Sequence, residues 1–98
     1  MRLKDKVAVI TGSGGAIGSV TAQKFAFEGA KIVVTDIDRE GGERTVNQVK
    51  EKGGEAFFVE ANIREVAECE KLIKSAVDTY GSIDILFNNA GFELMKSV

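Results

Sequence analysis

The residues whose types and spacing could do chemistry cluster near the start of the chain. Gly12, Gly14, Gly15 and Gly18 follow the apolar, mostly β-branched run of residues 7–10. Such a sequence predicts a strand, a tight turn that tolerates positive φ, and the start of a helix. Backbone amides and the positive end of the helix dipole would point out of this turn, which suits a diphosphate group. The alternative is a turn whose glycines serve geometry alone.

An acidic residue stands at the distance from these glycines that a dinucleotide site requires. Asp36 ends the next apolar run, residues 32–35, and lies 18 residues beyond Gly18 (36 − 18). Dinucleotide-binding folds carry an acid about 20 residues after the glycine turn, where it binds the adenosine ribose. The glycine spacing departs from the generic G-x-G-x-x-G fingerprint. The turn and the acid together nevertheless favour nucleotide binding over a purely geometric role.

The turn resembles a signature of the short-chain dehydrogenase/reductase family. Residues 11–18 fit that family's T-G-x-x-x-G-x-G turn except at Ala16, and the Asn-Asn-Ala-Gly sequence at residues 88–91 matches its second signature. The two signatures occur in the family's order, and the resemblance runs from about residue 4 to residue 91. It implies the N-terminal, cofactor-binding half of an NAD-dependent oxidoreductase that acts on an alcohol or carbonyl substrate.

The resemblance assigns a set of residues to the cofactor. The glycine turn would contact the diphosphate through its backbone, and Asp36 would bind the adenosine hydroxyls. Asn62 and Ile63 stand where family members usually carry an aspartate and a small apolar residue that hold the adenine. Asn89 and Ala90 would lie against the cofactor ribose. The full set is Gly12, Gly14, Gly15, Ile17, Asp36, Asn62, Ile63, Asn89 and Ala90. For each of these residues, a purely structural role is the alternative.

Two features depart from the family pattern. Ala16 replaces a glycine that lets the backbone approach the diphosphate closely, so its methyl group would weaken binding. The family's catalytic serine, tyrosine and lysine lie beyond the Asn-Asn-Ala-Gly segment, and no residues here match them. Tyr80 is the only tyrosine, and no lysine lies four residues after it. We therefore predict no catalytic residue in this chain, which alone would bind NAD without turnover.

A further resemblance concerns Asn88, which would tie the fourth strand to the glycine turn.

Strands and helices alternate along the sequence. The predicted strands cover residues 7–10, 31–36, 56–61 and 83–87. The first predicted helix runs from residue 17 to a stop at Gly29, and the second from an N-cap at Asp38 to about residue 52. The third runs from residue 66 to a stop at Gly81. Glycines at 41 and 42 predict an irregular start to the second helix. The residues predicted to face inward are Ile17, Val20, Thr21 and Phe25 on the first helix, Val46 and Val49 on the second, and Val66, Cys69, Leu72, Ile73, Ala76, Val77 and Tyr80 on the third.

This alternation predicts an α/β fold with right-handed crossovers and a parallel sheet of strand order 3-2-1-4. It is half of a doubly wound, Rossmann-type sheet with three crossover helices. We predict one domain over residues 1–91 and a tail of unassigned structure over residues 92–98. Because ligands bind where the strand order reverses, Gly12, Asp36, Asn62 and Asn89 should surround one crevice at the carboxyl ends of the strands.

Composition excludes several other classes of protein. A formal charge of −2 and no basic stripe argue against nucleic acid as a partner. No apolar stretch approaches the ~20 residues of a membrane span, and residues 1–6 do not form a signal peptide, so a cytoplasmic location is the default expectation. The chain has no histidine and one cysteine, Cys69, which predicts neither a transition-metal site nor an internal disulfide.

Three interpretations of the chain follow. The first is the cofactor-binding half of a short-chain dehydrogenase, truncated or only partly represented, that would pair with its missing C-terminal half. The second is a stand-alone NAD-binding module without catalysis, and the third is a structural protein that keeps the fold without the ligand. The strand at residues 83–87 would form an unpaired hydrophobic edge, so we also expect self-association.

Overall fold

The structure, a computed structural model, describes residues 2–89. In chain order these residues form β1 (Val7–Thr11), α1 (Ala16–Phe27), β2 (Lys31–Asp36), α2 (Arg39–Glu51), β3 (Glu55–Glu60), α3 (Val66–Tyr80) and β4 (Ile85–Asn88). Every predicted strand and helix is present, and each boundary agrees with its prediction to within two residues. The predicted tail at residues 92–98 lies outside the described part. None of the helices within residues 2–89 is both long and apolar enough to cross a membrane.

The four strands form one parallel sheet in the order β3-β2-β1-β4, as the sequence predicts. The register places the carboxyl ends of three strands level with one another, because Thr11 pairs with Thr35 on one side and with Asn88 on the other. The β1–α1 turn and the residues that follow β2 therefore meet at a single edge of the sheet. This is the edge at which doubly wound folds bind ligands.

The core has two layers, one on each face of the sheet. Every residue of β1 is buried, which explains its continuous apolar run without polar alternation. Alternate strand residues pack under α1 and α2 on one face, and the others pack under α3 on the opposite face. Within the described residues, α3 is the helix on that second face, and it leaves Leu86 of β4 with 66% of its surface exposed.

The prediction of the inward face of α1 is wrong for two residues. Ile17 and Val20 are 69% and 66% exposed, while Gly18 and Ala22 are the buried residues of the helix. The reason is close packing against the glycine turn: a side chain at Gly18 would begin 2.3 Å from the carbonyl oxygen of Gly12. The small residues Gly18 and Ala22 therefore face the sheet while Ile17 and Val20 are rotated outward. Phe25, one turn further along, packs against the core as predicted.

The prediction of an irregular start to α2 is also wrong. The helix begins at Arg39 after Asp38 at the N-cap, and the amide of Gly42 donates to the Asp38 carbonyl oxygen at 3.0 Å. Gly42 lies so close to Phe58 of β3 that an added Cβ would stand 2.1 Å from the ring. The glycines therefore allow the first turn of α2 to approach the sheet and do not interrupt it.

The inward face of α3 is narrower than its apolar spacing predicts. Leu72 and Ala76 are buried, but Val66, Ile73 and Val77 are 75%, 54% and 42% exposed. These three side chains lie beside the buried residues Leu72 and Ala76, because α3 contacts the sheet through a narrow face. Cys69 and Tyr80 are half-buried, and Gly81 ends the helix with a φ of 90° in the left-handed region, as predicted.

Candidate functional site

A crevice of about 90 Å³ opens at the carboxyl ends of the strands. Its walls come from the ends of β1 and β2 and from the segment after β3: Thr11, Gly12, Thr35, Asp36, Ile37, Ala61, Asn62 and Ile63. Pockets that enclose a whole small molecule usually measure about 300–1,000 Å³. This crevice can therefore hold only part of a ligand such as a dinucleotide, with the remainder lying across the adjoining turn.

The glycine turn leads from β1 into α1 beside this crevice. Gly12 has a φ of 67°, a conformation that favours glycine, and the amide of Gly15 donates to the Gly12 carbonyl oxygen at 3.1 Å. Gly15 is the N-cap of α1 and supplies no side-chain cap, and the first helical turn carries no acidic residue. The amides of the first turn, including that of Ile17, have no acceptor within the helix, so this end suits an anion.

The carboxylate of Asp36 lies between the turn and the start of α2. One oxygen, Oδ2, accepts a hydrogen bond from the Gly14 amide at 2.9 Å, and the other, Oδ1, accepts one from the Asp38 amide at 3.0 Å. These two bonds fix the orientation of a half-buried side chain at the rim of the crevice. Each carboxylate oxygen can accept more than one hydrogen bond, so both can still receive ligand hydroxyls.

A network of buried hydroxyl groups, not predicted from the sequence, supports the turn. The Ser13 hydroxyl donates to the Ile10 carbonyl oxygen at 2.7 Å and accepts the Thr35 amide at 3.0 Å. Thr45 of α2 donates from Oγ1 to the Ser13 carbonyl oxygen at 2.6 Å. Ser13, Thr35 and Thr45 are each at most 1% exposed. Thr35 ends an apolar run, but Ser13 lies among glycines and Thr45 among polar residues, so no sequence signal identifies these three residues as partners.

The β4 side of the site is built from two asparagines. The Oδ1 atom of Asn88 accepts a hydrogen bond from Thr11 Oγ1 at 2.9 Å, which joins β4 to the residue before the turn. This geometry agrees with the role that the family resemblance implies for Asn88. Asn89 follows β4 and is half-buried. It lies on the other side of β1 and does not line the crevice, so the prediction that it surrounds the same crevice as Gly12, Asp36 and Asn62 is wrong. Ala90, predicted to lie against the ribose, is outside the described residues.

The residues predicted to hold the adenine lie on the opposite wall, after β3. Asn62 is exposed, and its Oδ1 accepts a hydrogen bond from the amide of Arg64 at 3.1 Å. Its amide nitrogen Nδ2 can still donate two hydrogen bonds. Ile63 is half-buried and presents apolar surface to the crevice. Of the predicted residues, the structure brings Gly12, Asp36, Asn62 and Ile63 to this crevice; Gly14, Gly15 and Ile17 flank it in the turn and first helical turn.

A larger groove, of about 650 Å³, runs along the open edge of β3 between α2 and α3. Four of its charged side chains form two ion pairs: Arg39 with Glu60 at 2.8 Å, and Lys71 with Glu68 at 3.3 Å. Such exposed pairs contribute little to stability. Because these charged groups are exposed and already bind one another, they do not form a ligand site. We therefore place the candidate site at the strand ends.

Tyr80 lies at the opposite end of the sheet from this site. Its ring packs edge-on against Phe57 with the centroids 5.2 Å apart, and the Lys31 ammonium is 5.7 Å from its centroid. Lys31 begins β2, so Tyr80 is near the amino ends of the strands. Burial, and to a lesser extent the charge of Glu55, raises the pKa of Tyr80 to about 12. The hydroxyl is therefore protonated at neutral pH and remote from the glycine turn.

Comparison with known proteins connects this geometry to function. Residues 6–98 match the protein family described as short chain dehydrogenase. An uncharacterized oxidoreductase of Thermotoga maritima is 43% identical over 93% of this chain and 36% of its own length. The 7alpha-hydroxysteroid dehydrogenase of Escherichia coli is 40% identical, again over 93% of this chain and 36% of its own.

Solved structures give the same result. The crystal structure of hydroxysteroid dehydrogenase from Escherichia coli superposes with a TM-score of 0.87 at 38% sequence identity, covering 89% of this chain and 37% of that one. A short chain dehydrogenase from Mycobacterium avium superposes with a TM-score of 0.86 at 33% identity, covering 91% of this chain. The chain thus spans a little over a third of the length of these relatives and solved structures.

Proposed function

Because the chain belongs to the short-chain dehydrogenase family, we propose that it forms the NAD-binding part of an oxidoreductase that acts on an alcohol or carbonyl substrate. One observation carries this proposal. The Asp36 carboxylate is fixed at the rim of the strand-end crevice, beside a helix N-terminus that has neither a side-chain cap nor an acid in its first turn. An adenosine diphosphate group needs this pairing of a hydroxyl acceptor with an anion site.

We assign the parts of NAD to residues along this edge of the sheet. Asn62 and Ile63 would hold the adenine, and Asp36 would accept hydrogen bonds from the hydroxyls of the adenosine ribose. The amides at the start of α1 would bind the diphosphate. Asn89 and Ala90 would lie against the ribose on the β4 side. When bound, the nicotinamide ring supplies the hydride acceptor or donor. The 90 Å³ volume of the crevice suits a single ring system, which agrees with a cofactor that lies across the sheet edge.

We further propose that NAD is preferred over NADP. A 2′-phosphate would stand next to the Asp36 carboxylate, and at about 4 Å this repulsion costs roughly 1 kcal/mol in water and roughly 4 kcal/mol at an effective dielectric constant of 20. Gly14, Gly15 and Ile37 provide no compensating cation. The nearby guanidinium of Arg39 is paired with Glu60 at 2.8 Å and with Glu43 at 3.3 Å.

Calorimetric titration of the purified 98-residue chain with NAD and NADP tests this proposal. We expect NAD to bind more tightly, and Asp36→Ala to weaken NAD binding and narrow the difference. Asp38→Ala is the matched control, because it removes an equal charge two residues away and keeps the amide that bonds Asp36. Equal or tighter binding of NADP would refute the preference. No binding of either nucleotide would favour the structural interpretation of the chain.

A further inference from the structure

We propose that Thr45 is a positioning residue for the dinucleotide site, acting through the peptide unit between Ser13 and Gly14. The proposal rests on the proposed NAD site, because it concerns how the Asp36 carboxylate is held there. Thr45 lies in the middle of α2, nine residues after Asp36 (45 − 36), and it does not line the strand-end crevice. Its influence on a ligand must therefore pass through other groups.

The hydrogen bonds define that path. The Ser13 carbonyl oxygen and the Gly14 N–H belong to one peptide unit, and in a planar trans peptide they point in opposite directions. Thr45 Oγ1 donates to the carbonyl oxygen at 2.6 Å, and the N–H donates to Asp36 Oδ2 at 2.9 Å. The peptide unit is thus held at both ends, by α2 on one side and by the candidate ribose-binding acid on the other.

Burial strengthens the hydrogen bond that Thr45 donates to the Ser13 carbonyl oxygen. Thr45 is 1% exposed and Ser13 is fully buried, so water cannot replace the hydroxyl as the donor. A buried carbonyl oxygen deprived of its donor would carry the full cost of its desolvation. Gly14 also packs directly on α2, since an added Cβ would stand 2.9 Å from the Gly42 amide nitrogen. The turn therefore has its orientation set by α2.

Loss of the Thr45 hydroxyl should be transmitted to Asp36. Without its donor, the peptide unit would be free to tilt and would direct the Gly14 N–H away from the carboxylate. Asp36 would then keep only the Asp38 amide on Oδ1. A less constrained carboxylate binds the ribose hydroxyls less well, because it must be ordered when the ligand arrives. A purely structural Thr45 would instead affect stability and all ligands alike.

Thr45→Val removes the donor but keeps the β-branched shape, and Thr45→Ser restores the hydroxyl. Ser19→Ala is the control: Ser19 is half-buried outside the crevice lining, and its hydroxyl also donates to α2, to Gln48 Oε1 at 3.1 Å, without contacting the Ser13–Gly14 peptide unit. The first measurement is amide hydrogen exchange of Gly14 relative to the amides of β2, without ligand. We expect exchange to rise about fivefold in Thr45→Val, the equivalent of one ordinary hydrogen bond, and not in the other two variants.

The second measurement compares binding of ADP with that of its 2′,3′-dideoxy analogue, which has no hydroxyls for Asp36. Thr45→Val should weaken ADP binding about fivefold and leave the analogue unchanged, and Thr45→Ser should restore the native values. If Thr45→Val does not fold, Thr45→Cys, with its weaker donor, is compared in the same way. Unchanged Gly14 exchange, or equal losses for both nucleotides, would overturn the proposal. If the native chain binds neither NAD nor ADP, the proposed function fails, while Gly14 exchange still decides the role of Thr45.

Discussion

At Ala16, a single methyl group stands where the cofactor diphosphate is proposed to approach. The residue is the first of α1, is exposed, and belongs to the turn whose amides the helix leaves without acceptors. We predict that Ala16→Gly tightens NAD binding by removing this methyl group. The same change should lower the free energy of unfolding by roughly 0.5 to 1 kcal/mol, because glycine is more flexible in the unfolded chain.

Titration calorimetry and urea unfolding of the Ala16→Gly variant measure the two effects separately. Ala67→Gly is a suitable control, since Ala67 is also exposed in the first turn of a helix, α3, and does not line the crevice. It should lose stability by a similar amount without a gain in NAD affinity. A well-folded Ala16→Gly variant whose NAD affinity is unchanged or lower would show that the methyl group does not crowd the diphosphate.

Residue-level prediction succeeds where the signal is local. Asp36 could be identified because it ends an apolar run at a fixed distance from the glycines, and the structure places it at the crevice. Thr45 could not be identified, because its partner Ser13 lies 32 residues away and a threonine inside a helix has no distinctive pattern. Its importance depends on how closely α2 approaches the turn, and only the folded chain shows that distance.

At the level of helices and strands, apolar runs and glycine stops were sufficient to predict the order and topology of the sheet. The orientation of α1 was not predictable from apolarity. Hydrophobic spacing selects Ile17 and Val20 for the core, but the contact between Gly18 and the Gly12 carbonyl oxygen fixes the rotation of the helix. The distance between the backbones of the turn and the helix fixes this rotation, and a pattern of side-chain types does not predict that distance.

The C-terminal end of α3 gives a prediction on pH dependence. Burial raises the pKa of Tyr80 to about 12, against about 10 for an exposed tyrosine. Between these pH values the unfolded chain loses the phenolic proton while the native chain keeps it. The contribution of Tyr80 to stability should therefore be complete below pH 10 and decline as pH rises toward 12.

Phenolate absorbance measures this directly, because the chain has one tyrosine and no tryptophan. The native protein should ionise with a midpoint well above 10, and the urea-unfolded protein with a midpoint of about 10. Glu55→Gln should lower the native midpoint only slightly, since burial is the larger cause. A native midpoint of about 10 would mean that Tyr80 is open to water.

At the scale of the whole molecule, the β4 edge of the sheet should mediate self-association. Within the described residues, β4 pairs with β1 on one side and with no strand on the other. Leu86 is 66% exposed and borders an apolar groove of about 220 Å³ that Ile73 and Cys69 also line. An open strand beside an apolar surface invites pairing with a second chain. We expect a dimer or a larger species.

Light scattering over a range of concentrations tests this prediction. Leu86→Lys should shift the protein toward the monomer, because a charge on the edge strand opposes pairing. Phe27→Lys is the control: Phe27 is 74% exposed on α1, on the other face of the sheet, and its replacement should leave the association unchanged. A native chain that stays monomeric at high concentration would contradict the prediction.

The final prediction is that the 98-residue chain binds NAD without turning over an alcohol or carbonyl substrate. Hydride transfer needs a group that moves the hydroxyl proton, and its absence typically costs ~10²–10⁴-fold in rate. The chain has no histidine, and its one tyrosine lies at the far end of the sheet with a pKa of about 12. The carboxylate of Asp36 already accepts hydrogen bonds from two backbone amides, and we assign it to the ribose.

The test follows NADH absorbance with a panel of alcohols, ketones and sugars, using protein whose mass confirms 98 residues. No substrate should change the rate of NADH formation or loss above that of the cofactor alone, although NAD binds. Contamination by a host dehydrogenase is the main source of a false signal, and Asp36→Ala purified in the same way controls for it. Turnover that the native chain shows and Asp36→Ala abolishes would belong to this site, and it would mean that a group other than Tyr80 moves the proton.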